Sequence, residues 1–506
     1  MLITAMKGDI SKCKADAIII NLFEGTKTPE GAAGAVDKAL NGIISKMVKE
    51  KEFKGSPNEL ASFPTFGKIP ADKVILIGLG KKEDFTPDKA RQAASESAKK
   101  ARVLGAKKVA SILHGTGAGN LDPQQGAQIM AEGALMGLYE FKKYVSSHHN
   151  NNNNPPKAIK EWAIIELDEK KIPAIKKGIK TGEIIAQSVN IARDLINEPP
   201  NVMTPTELAD RARGMAKQTG LKCTIFDLKE IKKRKMGGLL AVAAGSVQEP
   251  RFIILEYKGN PSQKTPTLGL IGKGLTYDSG GLSLKPPQYM EDMKSDMSGA
   301  AAVICALRAI ALLKPRINVT AVIPATENMP GGKAYKPGDV LTTLSGKTIE
   351  VFNTDAEGRI CLADALTYAV KAKLSPLVDV ATLTGASSVA IGPYYTGLFP
   401  NNKELAEEIK TAAETAGEKV WELPMDSEYA ELIKSKIADV KNISGGREGG
   451  AITAAKFLEK FVEKTPWVHL DIAAPAYITS PKTYNTYGGT GVMVRTFIQW
   501  VLNKAK

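Results

Sequence analysis

The sequence has few of the residues that build disulfide frameworks and histidine metal centres. Its 506 residues include only four cysteines and four histidines. Cys13, Cys223, Cys305 and Cys361 are scattered and form no C-x-x-C pair, so we expect no disulfide framework. Cys305 and Cys361 lie in apolar, helix-like contexts. We interpret them as small buried hydrophobic residues, the alternative being a catalytic thiol.

Long hydrophobic runs are also missing. The most apolar stretch, Gly299 to Leu307, stops at Arg308, whereas a helix needs roughly 20 apolar residues to cross a bilayer. Met1 to Ile10 lacks the basic and apolar regions of a secretory signal. With 43% hydrophobic and 24% charged residues, the composition is that of an ordinary soluble globular protein. We therefore expect a cytoplasmic protein with no membrane partner.

Basic residues are in excess, giving a formal net charge of +14. Positive charge attracts polyanions, and the densest basic cluster is Lys232–Lys235. We interpret the cluster as a solvated helix face. Nucleic-acid binding stays open as the alternative.

The length predicts at least two domains. Residues 1–147 alternate apolar strands with helices, which predicts a small N-terminal α/β domain. The expected strands are Ala17–Ile20, Val74–Ile77 and Val109–Leu113, and the expected helices include Asp88–Leu104 and Gln125–Tyr144. The run Gly115–Gly119 follows a strand but has neither the Walker nor the G-x-G-x-x-G spacing, so we favour a glycine-rich turn over a phosphate loop.

A polar segment separates the two predicted domains. It contains His148-His149, the asparagine run Asn150–Asn154 and Pro155-Pro156. Such a segment cannot pack a core, so residues 148–160 are predicted to be a linker or insert. We assign the two histidines to this loop, because no other ligand stands at metal-site spacing.

Residues 161–506 are predicted to form one larger catalytic domain, an α/β/α layer structure with a mixed, largely parallel sheet. Expected strands are Trp162–Leu167, Cys223–Phe226, Phe252–Tyr257, Leu268–Ile271, Val319–Pro324, Leu377–Ala381 and Val468–Ile472. Expected helices are Gly182–Ile196, Thr206–Thr219, Ser298–Leu313, Cys361–Ala372, Lys403–Ala416 and Ala451–Val462.

Acidic residues with one lysine form the chief functional pattern. Asp355 and Glu357 follow an alternating apolar run, and residues two apart on a strand point to one side. Gly358 would let the chain turn tightly after them. Lys273 and Asp278 follow the apolar strand at Leu268 in a glycine-rich loop, and Asp296 precedes a helix. Four carboxylates and one lysine amine suffice for two divalent ions that share bridging ligands.

Several motifs in fixed order resemble the leucyl aminopeptidase family of two-metal peptidases. They are GKGLTYDSGGLSLKP (Gly272–Pro286), MKSDMSGAAAV (Met293–Val303), NMPGG (Asn328–Gly332), NTDAEGR (Asn353–Arg359), ATLTGA (Ala381–Ala386) and HLDIA (His469–Ala473). The resemblance extends from about Trp162 to the C-terminus. Ile360, where leucine is common, Ala473-Ala474-Pro475 and the asparagine run depart from the family pattern.

The resemblance implies a role for each matching residue. The implied metal ligands are Lys273, Asp278, Asp296, Asp355 and Glu357, the implied catalytic pair is Lys285 and Arg359, and the implied substrate pocket is Met293, Thr382 and Gly385. Asp278 and Glu357 would bridge two ions, Zn²⁺ and/or Mn²⁺ or Mg²⁺. Arg359 would hold a bicarbonate ion that acts as general base.

The expected reaction is hydrolysis of N-terminal, mainly apolar, leucine-like residues from peptides with a free amino terminus. A metal-bound water supplies the nucleophile, and Lys273 must then be a neutral amine. Lys285 should stay charged and stabilise the oxyanion. The resemblance also implies a homohexamer. Nucleotide binding for redox or phosphoryl transfer is the remaining rival, and the missing Walker and Rossmann spacings argue against it.

Overall fold

Most strands belong to two β-sheets, and each sheet lies in a different unit of the chain. The structure is a computed structural model that describes residues 1–117, 119–146, 158–262, 265–446 and 448–505. Unit 1 contains Met1–Gln187 and Ser480–Thr486, and unit 2 contains Ser188–Thr479 and Tyr487–Lys506. Both units are α/β, and the predicted fold class is confirmed.

The division by contacts falls after Gln187, whereas the predicted catalytic domain starts at residue 161. The reason is the strand at Glu161–Glu166, which pairs within the sheet of unit 1. Most of the predicted linker 148–160, including His148-His149 and Asn150–Asn154, lies outside the described residues. Its role stays a prediction.

Unit 1 is built on a six-stranded sheet in the order β1-β6-β5-β2-β4-β3. Its elements are β1 Leu2–Lys7, β2 Ala17–Leu22, α1 Gly31–Ala39, α2 Ile43–Lys49, β3 Leu60–Pro64, β4 Lys73–Gly78, α3 Pro87–Val103, β5 Lys108–Ser111, α4 Pro123–Gly137, β6 Glu161–Glu166 and the start of α5 Ile172–Asn197. Only the pairing of β3 with β4 is antiparallel. The central strand β2 is almost wholly buried, as strands covered on both faces are.

A short segment from late in the chain completes unit 1. In Ser480–Thr486, the Tyr484 hydroxyl donates to Asp88 Oδ1 at 2.8 Å, and Lys99 Nζ donates to the Thr483 carbonyl. Unit 1 therefore uses residues separated by nearly 300 positions, since the segment follows Gln187 only at Ser480.

Unit 2 contains the remaining elements. They are α6 Pro205–Thr219, β7 Lys222–Phe226, α7 Leu228–Lys233, α8 Gly237–Ala243, β8 Arg251–Lys258, β9 Leu268–Gly272, β10 Gly274–Asp278, α9 Ser298–Leu313, β11 Asn318–Asn328, β12 Val340–Thr342, β13 Thr348–Glu350, α10 Gly358–Lys371, β14 Leu377–Ala381, α11 Gly385–Ile391, β15 Thr396–Pro400, α12 Lys403–Ala416, β16 Val420–Glu422, α13 Glu428–Glu431, β17 Val440–Lys441, α14 Gly450–Glu459, β18 Trp467–Asp471, β19 Tyr477–Ile478, β20 Gly488–Gly489 and α15 Val494–Lys504.

The main sheet of unit 2 has nine strands in the order β16-β15-β18-β14-β9-β11-β8-β7, with β10 paired to β11. Its centre, from β18 to β11, is parallel. The stretch Gly274–Asp278, expected to be a loop, is a strand that continues the parallel pairing along β11. A separate three-stranded sheet, β12-β13-β17, leads into α10.

Helix α9 is the apolar centre of unit 2. Together with the 3₁₀ segments before it, it makes one stretch, Pro287–Leu313, with the length and hydropathy of a membrane span among the described residues. Of its most apolar window, 83% is buried inside the fold. The helix packs against β9 and β14, so its apolar character is that of a core helix.

Candidate metal centre

Three carboxylates from two segments of the chain meet in unit 2. Oxygen atoms of Asp278, Asp355 and Glu357 lie within 4.8 Å of one another. Asp278 ends β10, Asp355 lies in the turn before α10, and Glu357 is the N-cap residue of α10. The predicted strand alternation of Asp355 and Glu357 is wrong, because β13 ends at Glu350. The turn brings the two carboxylates together instead.

Lys273 and Asp296 extend this group. Lys273 Nζ lies 2.8 Å from Asp296 Oδ1 and 2.9 Å from Glu357 Oε1, and it donates to the Thr382 carbonyl at 2.9 Å. Lys273 follows β9, and Asp296 stands in the 3₁₀ turn before α9. The structure thus brings all five predicted donors into one cluster.

Gly358 makes room for the Lys273 side chain. A Cβ at Gly358 would lie 2.5 Å from Lys273 Cε and 2.6 Å from its Nζ. The backbone there is the first turn of α10 and is not left-handed, so the predicted need for a tight turn is wrong. Glycine is required because another side chain occupies the space of a Cβ.

The protonation of Lys273 depends on the charges around it. Burial lowers the pKa of Lys273, but the carboxylates of Asp296, Glu357 and Asp278 outweigh burial and raise it above its ordinary value. Without a bound cation, Lys273 is therefore an ammonium ion. Ligation by its amine requires loss of this proton, so metal binding at this position must release a proton.

Lys285 is a second cation in the cluster. Its Nζ lies 2.9 Å from Asp278 Oδ2 and 2.5 Å from Asp355 Oδ1. Burial lowers the pKa of Lys285, but Asp278, Glu357 and Asp355 outweigh that effect and raise it. Lys285 is therefore charged at neutral pH, as an oxyanion stabiliser must be.

Arg359 is the third cation. It is buried in the first turn of α10, and its Nη1 donates to the Asn442 carbonyl at 2.8 Å. Burial lowers the pKa of Arg359 to about 10, with partial compensation by Glu357 and Asp471, so the side chain keeps its charge at neutral pH. Its Nε has no hydrogen-bond partner among the described residues, and a small anion could accept from it.

A hydrogen-bond network holds the acidic turn in place. Asn328 Nδ2 donates to Asp278 Oδ1 at 2.8 Å and to the Thr354 carbonyl at 2.9 Å. The Tyr335 hydroxyl donates to the same carbonyl at 2.7 Å, and Thr354 Oγ1 donates to the Gly280 carbonyl at 2.6 Å. Sequence reasoning gave these residues no role. Asn328 was visible only as the first residue of a motif.

The predicted pocket residues lie on two segments, one before α9 and one after β14. Met293 is half-buried in the 3₁₀ turn that carries Asp296. Thr382 Oγ1 donates to Asp296 Oδ1 at 2.7 Å, so this residue adjoins the cluster. Gly385 begins α11, is exposed, and has no atom within 4 Å of an added Cβ.

The donor set fits divalent cations. Two lysine charges do not balance the four carboxylates of Asp278, Asp296, Asp355 and Glu357, and buried carboxylates need opposite charge. Asp296 Oδ2 is buried without a partner among the described residues. Carboxylate oxygens are the ligands of Mg²⁺ and Mn²⁺, and Zn²⁺ accepts them as well.

Fold and donor set together define an α/β metallohydrolase. Residues 190–498 match the family model described as the catalytic domain of the cytosol aminopeptidase family, and residues 19–148 match its N-terminal domain. The chain belongs to the cytosol aminopeptidase family, M17, which confirms the resemblance to leucyl aminopeptidases. It is therefore a metal-dependent aminopeptidase, a hydrolase that acts on peptides.

Relatives match over the whole chain. The "Probable cytosol aminopeptidase" of Alkaliphilus oremlandii (strain OhILAs) is 45% identical and covers 100% of both chains. That of Alkaliphilus metalliredigens (strain QYMF) is 43% identical over 97% of both. A solved structure of a mutant tomato leucine aminopeptidase has a TM-score of 0.88 and 35% identity, covering 99% of this chain and 96% of its own. The bottromycin maturation enzyme BotP in complex with Mn has a TM-score of 0.84 and 34% identity, covering 97% and 100%.

Proposed function

We propose that the chain removes N-terminal, mainly apolar, leucine-like residues from peptides at a centre of two divalent ions. The observation that carries the proposal is the convergence of Asp278, Asp355 and Glu357 beside the Lys273–Asp296 pair. Asp278 and Glu357 would be ligands of both ions, Asp355 would be a ligand of one, and Lys273 and Asp296 would be ligands of the other. The ions are Zn²⁺ and/or Mn²⁺, with Mg²⁺ as a further candidate, and the Mn complex of BotP supports this class of metal.

The contacts of the two lysines support this division of the ligands. Lys273 contacts Asp296 and Glu357, whereas Lys285 contacts Asp278 and Asp355. Each ammonium thus offsets part of the negative charge in one half of the cluster. When bound, the ions lower the pKa of a coordinated water and polarise the scissile carbonyl.

The residues of the chain supply the remaining chemistry. Lys285 donates a hydrogen bond to the oxyanion that develops on the scissile carbonyl. Arg359 is charged, and its Nε has no partner among the described residues, so it would hold a bicarbonate ion, which would supply a general base. Lys273 gives up its own proton when it becomes a ligand. Asn328 fixes Asp278 against the Thr354 turn, so the two parts of the cluster keep their spacing.

Substrate recognition requires a free amino terminus and a side-chain pocket. We propose that the substrate amine joins one ion and that Met293, Thr382 and Gly385 line the pocket for the first side chain. Thr382 supports this, since it contacts Asp296 directly. A homohexamer in the cytoplasm completes the proposal, supported by the family resemblance and by relatives named cytosol aminopeptidases. Light scattering would measure the subunit number.

Hydrolysis of leucine amide by the purified chain tests the function. We expect turnover that Mn²⁺ or Zn²⁺ stimulates and that a chelator abolishes, because the acidic cluster cannot generate a nucleophile without a cation. N-acetyl-leucine amide is the matched control and should be a poor substrate, since its amine is blocked. Absence of turnover with every metal would contradict the proposal, and equal turnover of the blocked amide would contradict the role of the free amine.

Nucleic-acid binding is the second candidate function. The observations that favour it are the net charge of +14 and the exposure of Lys232, Lys233 and Lys235. Glu230 lies 2.8 Å from Arg234 Nε and 4.0 Å from Lys233 Nζ, which reduces the field of the cluster. Salt-sensitive DNA retention that persists in Asp355→Ala would support an independent binding role. Failure to retain DNA at low salt would remove it.

A further inference from the structure

Unit 1 contains a large cavity at the carboxyl edge of its parallel sheet. The cavity has a volume of about 690 Å³ and is lined by residues that end or follow β1, β6, β5 and β2. Asp9 follows β1, Leu167 follows β6, Leu113 follows β5 and Phe23 follows β2. Small-molecule sites have volumes of this order, and in parallel α/β sheets they lie at the carboxyl ends of the strands.

Unpaired backbone N–H groups line two sides of this cavity. In Gly115, Thr116 and Gly117, the backbone N–H groups make no hydrogen bond to any described residue. The first turn of α1 forms the second side, and its first N–H to find a backbone acceptor is that of Gly34. No side chain of the described residues caps this helix. Two sets of free donors, one at a helix N-terminus, favour an anionic oxygen ligand such as phosphate.

The residue types of these two segments permit close approach. The start of α1 reads Gly-Ala-Ala-Gly-Ala from Gly31 to Ala35, so no long side chain covers its N–H groups. Gly115 has a φ of 79° and Gly31 a φ of 57°, which are left-handed values that glycine adopts without strain. The sequence pattern of Gly115–Gly119 left a phosphate loop open as the less favoured interpretation. The position of Gly115–Gly117 at the cavity now favours a phosphate-binding loop, for the part of the loop that the structure describes.

The other lining residues narrow the class of ligand. Phe23, Ile112 and Leu22 offer an apolar wall for a flat ring. Glu166 and Glu30 offer carboxylates, which repel phosphate but accept hydrogen bonds from hydroxyl or amino groups. Phosphate, hydroxyl groups and a ring together are the chemistry of a nucleotide.

His114 stands next to the wall of the cavity. Its Nδ1 lies 3.2 Å from Oδ1 of Asn21, which lines the cavity, and its Nε2 is buried without a partner among the described residues. His114 itself is not among the lining residues, so its contact with the cavity is indirect, through Asn21.

We propose that the cavity of unit 1 binds a nucleoside diphosphate or a closely related nucleotide, with phosphate on the N–H groups of Gly115–Gly117 and of the first turn of α1. Every lining residue belongs to unit 1, whereas every member of the acidic cluster belongs to unit 2. No motif of the peptidase requires it.

Calorimetric titration of the full-length chain with ADP tests this proposal. We expect saturable binding of one ADP per chain, competition by inorganic pyrophosphate, and about tenfold weaker binding of adenosine, which lacks the phosphates. The titration is repeated with Asp355→Asn, because ADP can also bind a divalent ion. Binding that survives in Asp355→Asn places ADP outside the metal centre, and binding lost there overturns the proposal.

Two substitutions on α1 locate the site. Ala35→Glu adds a carboxylate at an exposed lining position and should weaken ADP binding about tenfold or more by charge repulsion. Lys38→Glu is the matched control. It makes the same helix more negative than Ala35→Glu does, but at an exposed position outside the cavity lining. It should leave binding nearly unchanged. Lys27→Ala, at another exposed lining residue, supplies a second variant that cannot disturb the core.

The outcomes separate cleanly. Weaker binding in Ala35→Glu and Lys27→Ala, with Lys38→Glu unaffected, supports the site. Failure of the wild-type chain to bind ADP and pyrophosphate overturns it, as does adenosine binding as tightly as ADP. Equal losses in Ala35→Glu and Lys38→Glu would show a general charge effect and overturn it too. Leucine amide hydrolysis by Ala35→Glu, Lys27→Ala and Lys38→Glu should equal that of the wild type, so the result is independent of the proposed peptidase function.

Discussion

The carboxyl edges of the two parallel sheets carry opposite chemistry. In unit 1, the edge presents backbone N–H groups of glycine-rich segments around a cavity. In unit 2, strand ends and the turn before α10 present the carboxylates of Asp278, Asp355 and Glu357 with two lysines between them. One edge offers donors for an anion and the other offers acceptors for cations.

The difference shows which properties belong to the fold and which to the residues. The topology places a concave edge in each unit, because parallel strands all end on the same side. The ligand class depends on the side chains that follow each strand. Similarity of fold alone would therefore predict a binding site at each edge, but it would not predict which ligand binds or which reaction occurs there. Three substitutions test this contrast, beginning with the one expected to have the largest effect.

Lys285→Met should have the largest effect. We expect kcat to fall by about 10² to 10³, because the variant removes the donor to the oxyanion. Steady-state kinetics with leucine amide, together with metal content, would measure this loss. Lys403→Met, at an exposed position at the start of α12, is the control and should keep full activity. Unchanged kcat in Lys285→Met, with metal still bound, would show that Lys285 has no catalytic function.

Gly358→Ala should have an intermediate effect. The added Cβ would overlap Lys273 Cε and Nζ, so the lysine must move away from Asp296 and Glu357. We expect a loss of about 1–3 kcal/mol in the free energy of unfolding, typical of overpacking, and reduced metal content. Urea unfolding and elemental analysis measure the two effects. Gly332→Ala, where no atom lies within 4 Å of the added Cβ, should match the wild type. Normal metal content in Gly358→Ala would count against Lys273 as a ligand.

The smallest effect concerns pH and unit 1. Burial lowers the pKa of His114 to about 4 from the 6.5 that is usual for an imidazole. The unfolded chain therefore takes up the proton first, so His114 contributes stability above pH 6.5 that is lost as the pH falls toward 4. Between pH 7.5 and 5.5 the loss should be about 1 kcal/mol.

His114→Gln removes this titration and is the test of the pH effect. The difference in melting temperature between wild type and variant should change in favour of the variant as the pH falls from 7.5 to 5.5. A difference that stays constant with pH would show that His114 does not titrate as a buried neutral imidazole. ADP should raise the melting temperature of the wild type, which would sharpen the contrast between a nucleotide edge and a metal edge.

Buried parallel strands were the most predictable part of the fold. Strands β2, β4 and β14 consist mainly of buried apolar residues, and each is paired with a neighbouring strand on both sides. Strand β10 was not predictable, because Gly274 and Thr276 interrupt its apolar pattern and its pairing depends on the distant β11. The strands of the small sheet β12-β13-β17 are too short to show a period.

Helix α5 shows why boundaries were less certain. The predicted start was Gly182, but the helix begins ten residues earlier, at Ile172. Gly178 and Gly182 lie inside this helix. A Cβ at Gly178 would lie 2.1 Å from the Gln124 carbonyl oxygen, and a Cβ at Gly182 would lie 2.4 Å from that of Gln128. Two glycines that weaken helix propensity are thus required by close packing against α4, which sequence periodicity cannot detect.

The candidate centre was predictable in its members but less so in its geometry. The five donors could be named because their motifs occur in order, and the structure brings them together. The space that Gly358 leaves and the bonds of Asn328 could not be named, because both depend on residues distant in sequence. Whether the donors hold two ions in the proposed arrangement stays a prediction.

The segment Ser480–Thr486 has a consequence for biosynthesis. Asp88 and Lys99 on α3 form hydrogen bonds with Tyr484 and Thr483, which the ribosome adds almost 400 residues later. The first 187 residues can fold early during synthesis, but their contacts with Ser480–Thr486 form only when the chain is nearly complete. A fragment ending at Gln187 would therefore resemble an intermediate of synthesis in which Asp88 and Lys99 of α3 lack their contacts with Ser480–Thr486.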